Sequence, residues 1–240
     1  MSAIELHQAL HGYAGGHRLL MASQRLPREA ERALLILTDI SGPVTGGPFE
    51  SYLTGCAVPG TGAYALARTW LAPELSRPGC VWSHTLLVDQ ADLPRVSDPR
   101  GLLPLFSRPR KGEPWQAYGR PLTVSPPVTG DEPPSRRAWT DADAVRVLEA
   151  VYGGTADGPA FVAAERPETV EELVLAVWGQ QWPRLRRTFR FCTWSLAPRA
   201  LDGHAFDLQV VSLALSRRLS SARAAAVGPI GGGRTADGAD

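Results

Sequence analysis

Four of the five histidines, His7, His11, His17 and His84, fall in the first half of the chain, and imidazole is the side chain best suited to trading protons near neutrality. His7 and His11 have the spacing of two metal ligands on one face of a helix. Ile4 and Leu6, however, alternate with Glu5 and His7, a period that predicts a strand and sets the two rings about 13 Å apart. A shared metal fails there, and the same distance argument sinks Cys80 with His84 as a local pair. Residues from different strands could still converge. No metal or cofactor is called for, and structural hydrogen bonding is the first reading of the histidines.

The densest polar and glycine-rich run is His11-Gly12-Tyr13-Ala14-Gly15-Gly16-His17-Arg18. Backbone amides at Gly12, Gly15 and Gly16, with Arg18, could form an anion-binding turn; the competing and favoured reading is a tight hairpin whose glycines supply positive φ. Arg68 alternates with Leu66 and Trp70, so it either pairs structurally or offers a guanidinium to an anion. Arg184, Arg186, Arg187 and Arg190 interleave with Phe189 and Phe191, which reads as the solvated face of a half-buried strand rather than a nucleic-acid surface. There is no G-x-S-x-G elbow, so a serine hydrolase is unsupported, and the single lysine, Lys111, has no phosphate-loop context, so the chain is not itself a P-loop GTPase.

These side chains need elements to position them. Alternating patterns around turn residues predict strands near 4–11, 17–23, 51–58, 63–71 and 80–88, with a helix over 28–38. Prolines recur from 94 to 139, marking a loop-rich region with one strand at 116–124 that could separate two subdomains. Beyond it, Thr140 opens a helix with the stripe Ala144, Val145, Leu148, Val151 and Tyr152. Thr169-x-x-Glu172 reads as a capping box for an amphipathic helix over 169–180. Strands at 159–164, 188–196 and 206–212 follow, the last two joined by a turn. The expected fold is α+β, a mostly antiparallel meandering sheet with packed helices, in one domain over 1–219. Residues 220–240 lack an apolar period and are expected to be disordered.

The chain has 240 residues, 44% hydrophobic and 20% charged, enough for a substantial core. A formal charge of +1 supplies no field for nucleic acid or an anionic membrane. Three scattered cysteines fit a reducing cytoplasm, and no window of about 18 apolar residues predicts a membrane span.

Three strings become informative together: His7-Gln8-Ala9-Leu10-His11-Gly12-Tyr13 with Gly16-His17-Arg18-Leu19-Leu20, then Tyr64 to Trp70, then Arg77 to Leu87. They resemble the N-terminal domain of bacterial GTPase-associated proteins of the first class, components of GTPase-centred conflict or defence gene clusters. Phe189-Arg190-Phe191-Cys192-Thr193 and Phe206-Asp207-Leu208-Gln209 fit the same pattern. The resemblance implies a cytoplasmic, non-catalytic regulatory or adaptor module whose partner is a GTPase or another protein of the same cluster. It also places His11, His17, Arg68 and His84 in the motifs that carry it, as one candidate surface. The alternative is an enzyme, or a sensor of a phosphorylated ligand, using those His and Arg side chains on the N-terminal sheet.

Overall fold

The computed structural model describes residues 2–40, 49–75, 77–130, 139–153, 158–219 and 225–230. Strands β1 (Ile4–Tyr13) and β2 (His17–Ala22) form a hairpin, followed by helix α1 (Arg28–Thr38) and the meander β3 (Ser51–Val58), β4 (Ala63–Leu71) and β5 (Val81–Asp89). Short 3₁₀ turns at Leu93–Arg95, Pro99–Leu105 and Trp115–Gly119 lead to β6 (Leu122–Val124) and α2 (Asp141–Tyr152). The remainder is β7 (Ala160–Ala164), α3 (Glu171–Gly179), α4 (Pro183–Thr188), β8 (Phe191–Ser195), the small pair β9 (Ala200–Leu201) and β10 (His204–Ala205), β11 (Leu208–Ser212), α5 (Leu213–Leu219) and β12 (Ala225–Ile230).

Ten strands form one sheet in the order β12-β7-β11-β8-β3-β4-β5-β1-β2, with β6 paired to β1. The fold is α+β as expected, but the sheet is mixed. Every pairing among β1 to β6, and the seam of β3 with β8, is antiparallel, whereas β8, β11, β7 and β12 run parallel. The reason is connectivity: α3 and α4 carry the chain from β7 to β8, and α5 carries it from β11 to β12, and helical crossovers return a strand in the same direction. The turn expected to join the last two strands is in fact the β9–β10 excursion, with positive φ at Asp202 and Gly203, and β8 and β11 emerge parallel. Strands from both sides of 94–139 enter this one sheet, and the strand expected at 116–124 shrinks to Leu122–Val124 because Trp115–Gly119 is a 3₁₀ turn.

Local signals and outcomes differ at three helices. Thr140 and Asp143 form a reciprocal capping box at the start of α2, while the one expected at Thr169 does not form: the Thr169 hydroxyl donates to the Arg166 carbonyl and Val170 precedes α3. The expected apolar stripe of Val170, Leu173, Val174, Val177 and Trp178 is buried, and Leu175 outside it is buried as well, so beyond Glu171 and Glu172 of its first turn α3 is apolar nearly all round rather than amphipathic. On α2 the expected stripe is split: Ala144 and Val151 pack on the core, while Val145, Leu148 and Tyr152 are exposed. Arg186 departs from the solvated reading of its cluster; it is buried over the Trp178 ring and donates to the carbonyls of Leu93 (3.1 Å) and Val96 (2.8 Å).

Arg199, in the loop after β8, is also buried, and its Nη2 donates to the carbonyls of Ile36 (2.8 Å), Leu37 (2.9 Å) and Asp39 (3.0 Å). One guanidinium thereby satisfies the C-terminal end of α1, where the helix dipole favours a cation. It ties the antiparallel half of the sheet to the parallel half.

Residues 225–230 correct the expectation of a wholly disordered tail. β12 pairs in parallel with β7 and buries Val227 and Ile230; the other residues of 220–240 lie outside the described set. Deleting residues 220–240 therefore lowers the melting temperature, since the two apolar side chains alone contribute roughly 3 kcal/mol or more; an unchanged melting curve contradicts the edge-strand role. Arg199→Met removes the three carbonyl contacts at α1 and is expected to cost about 3 kcal/mol in urea unfolding. A loss below about 0.5 kcal/mol would show that water replaces the guanidinium without penalty.

Candidate functional site

The four candidate residues reach the sheet on β1, β2, β4 and β5, but they do not share one surface. In the β1–β5 ladder Leu10 stands opposite His84 and His11 opposite Ser83. Alternation along a strand then sends His11 and His84 to opposite faces.

On the α1 face, His11 and His17 lie with ring centroids 6.0 Å apart. His17 Nε2 and the Thr38 hydroxyl are 3.0 Å apart, and that hydroxyl already donates to the Leu34 carbonyl at 2.7 Å. His17 Nε2 is therefore the donor, which fixes the tautomer of a neutral ring. A hydroxyl chain continues inward. Ser83 donates to the Thr38 carbonyl at 2.7 Å, so at 2.8 Å it accepts from Thr69. His11 has no such partner: it is 0% exposed, and neither ring nitrogen is hydrogen-bonded to a described residue. Burial first, then the neighbouring His17, pushes its pKa down to about 3. Burial also lowers that of His17, against the opposing pull of Asp39. The β1–β2 register shifts between Leu10 and His11, where Leu20 of β2 is the extra residue.

On the opposite face Arg68 and His84 are cross-strand partners. His84 Nδ1 accepts from the Ser107 amide at 3.1 Å, so its proton sits on Nε2 and is donated to Gln8 Oε1 at 2.8 Å. Gln8 Nε2 in turn donates to the carbonyls of Arg120 (2.5 Å) and Ala117 (3.3 Å). The ring sits edge-on between Phe106 and Tyr118, and burial pushes its pKa down to about 4. His84 is thus a neutral clamp holding the 3₁₀ segments on the sheet. Arg68 pairs with Glu171 at the start of α3 and lies over Phe106, 5.6 Å from its centroid. Burial raises the Glu171 pKa and the Arg68 guanidinium opposes that rise. Both residues are occupied structurally; His84 is fully buried, and Arg68 is partly exposed.

The glycine run divides as well. Gly15 and Gly16 have positive φ, as a tight hairpin requires, whereas a Cβ on Gly12 would meet the Trp82 ring at 2.4 Å. Gly12 is there for close packing rather than for an anion. Arg18 is exposed and, with His11 and His17, lines a cleft of about 470 Å³ against α1 that also contains Arg28, Glu31 and Arg32. Sequence reasoning missed Gln8, Glu171, Arg28 and Arg32. Only the Arg28/Arg32 spacing, one helical turn apart on α1, carried a local signal. Among the described residues no group of three or more His, Cys, Asp or Glu side chains is placed to hold a metal ion, and no helix is long and apolar enough to cross a membrane.

Fold and site describe an α+β domain whose most prominent sequence motifs build a doubly covered sheet. Residues 5–106 match the family model of GTPase-associated protein 1, N-terminal domain type 1, and the family resemblance holds over that segment, which contains all three diagnostic strings. The later strings at 189–193 and 206–209 lie outside it. Neither the comparison with curated proteins nor that with solved structures found a match.

The depressed histidines, His11, His17 and His84, make stability depend on pH in a defined direction. An unfolded imidazole takes up a proton as pH falls below about 6.5, while the folded rings of His11 and His84 stay neutral down to about 3 and 4. Stability is therefore complete above about pH 6.5 and declines below it, by about 1.4 kcal/mol per pH unit for each ring. Urea midpoints at pH 7.0 and 5.5 are expected to differ accordingly, and His84→Gln reduces the slope. A flat profile over that interval means the rings are protonated in the folded state.

Proposed function

We propose that this chain is a regulatory or adaptor module, non-catalytic itself, that works with a GTPase in the cytoplasm as part of a bacterial conflict or defence gene cluster. The family match supports the association with a GTPase. The observation that carries the adaptor role is an apolar surface left uncovered: Trp182 is 80% exposed and Leu185 51%. A tryptophan is the side chain that most often anchors a protein interface, and leaving it in water is unfavourable without a partner. Gln181 Nε2 donates to the Tyr152 hydroxyl at 2.7 Å, which joins this turn to the outward stripe of Val145, Leu148 and Tyr152 on α2. The exposed Arg184 beside Leu185 suits an acidic rim on the partner.

Titration of the purified chain with the GTPase encoded in the same cluster tests this reading. Trp182→Ala is expected to weaken binding by about 30-fold and Leu185→Ala by about 10-fold, with melting temperatures within about 1 °C of the parent because both side chains face water. Full-strength binding by Trp182→Ala, or no binding by the parent, overturns the proposal.

A further inference from the structure

We propose that the cleft between the β1–β2 hairpin and α1 binds the phosphate group of a small phosphorylated molecule. This site is distinct from the Trp182 surface and stands independently of the adaptor reading.

His11 is the first ground. It lines the cleft, is fully buried, and has two ring nitrogens without a hydrogen-bond partner among the described residues. A buried donor without an acceptor is costly, and such a group in a folded protein calls for an explanation. An oxyanion in the cleft supplies the acceptor that the sheet does not.

The second ground is charge. Arg18, Arg28 and Arg32 line the same cleft, and none of them forms an ion pair with a described residue. Against their three guanidiniums stands one lining carboxylate, Glu31, leaving a formal excess of two positive charges that matches a phosphate dianion. Guanidinium donors present a planar fork that binds phosphate oxygens in pairs. Arg28 and Arg32 lie one turn apart on α1 and so approach from one wall, while Arg18 approaches from the edge strand.

Size and lining decide between a bare ion and a phosphorylated molecule. The volume of about 470 Å³ exceeds what a phosphate group fills, and lies within the range of small-ligand sites. Leu19 and Leu35 add apolar walls on which the organic part would rest.

Inorganic pyrophosphate is the probe, titrated calorimetrically into the full chain at fixed ionic strength. Saturable binding is expected, weakened at least 10-fold by Arg28→Ala, by Arg32→Ala and by Arg18→Ala. All three side chains are exposed at the rim, so the variants remain folded. Arg25→Ala, an exposed arginine outside the cleft lining, is expected to bind as the parent does. A parallel record of imidazole ¹⁵N resonances is expected to show the His11 signals moving on addition of pyrophosphate while His204 stays in place. The proposal is overturned by absence of binding at millimolar pyrophosphate, by equal loss in Arg25→Ala, or by His11 resonances that do not respond.

Discussion

The central strands of this sheet are covered on both faces, and every polar side chain they carry must find its partner inside the protein or go without. That constraint governs most of the architecture. Gln8 and His84 answer it with a relay from the Ser107 amide to the Arg120 carbonyl, which fastens the 3₁₀ segments over one face. Thr69, Ser83 and Thr38 answer it on the other with a hydroxyl chain leading to the end of α1. Arg199 then closes that helix end from the far half of the chain. The constraint is not met at the Thr85 hydroxyl, the Trp194 indole and His11; at His11 the neighbouring arginines and the adjacent cleft give the exception its chemical meaning.

The antiparallel half was legible because its signals are local. Period-two alternation and glycine turns fix β1 to β5 within a residue or two, and the cross-strand pairing of Arg68 with His84 follows from the short connection between β4 and β5. The parallel half was not, because β7, β8, β11 and β12 are short apolar runs whose direction is set by the helices between them rather than by their own patterns. The α2 stripe misleads for a related reason. Helical spacing shows that Val145, Leu148 and Tyr152 share a face, and only the tertiary placement of α2 shows that the face looks outward.

The candidate residues illustrate the same limit more sharply. Four polar side chains in one set of motifs read as one surface, yet strand alternation splits them, His11 and His17 under α1, Arg68 and His84 under the 3₁₀ segments and α3. The side chains that complete each pair lie far away in the chain: Gln8 is 76 positions from His84 and Glu171 is 103 from Arg68. No spacing within a motif encodes such a partner.

These long-range partners also bear on the unit that the family match defines. Residues 5–106 contain β1 to β5 and α1, but the Arg68 guanidinium is paired with Glu171, the open edge of β3 is paired with β8, and the end of α1 is held by Arg199. Excised alone, the matched segment would expose an apolar strand edge and leave a guanidinium and a helix terminus unpaired, each a separate cost in a fold whose total stability is small. The family segment and the rest of the chain therefore share one sheet, the first part lining the cleft and the second carrying Glu171, Arg199 and the exposed Trp182.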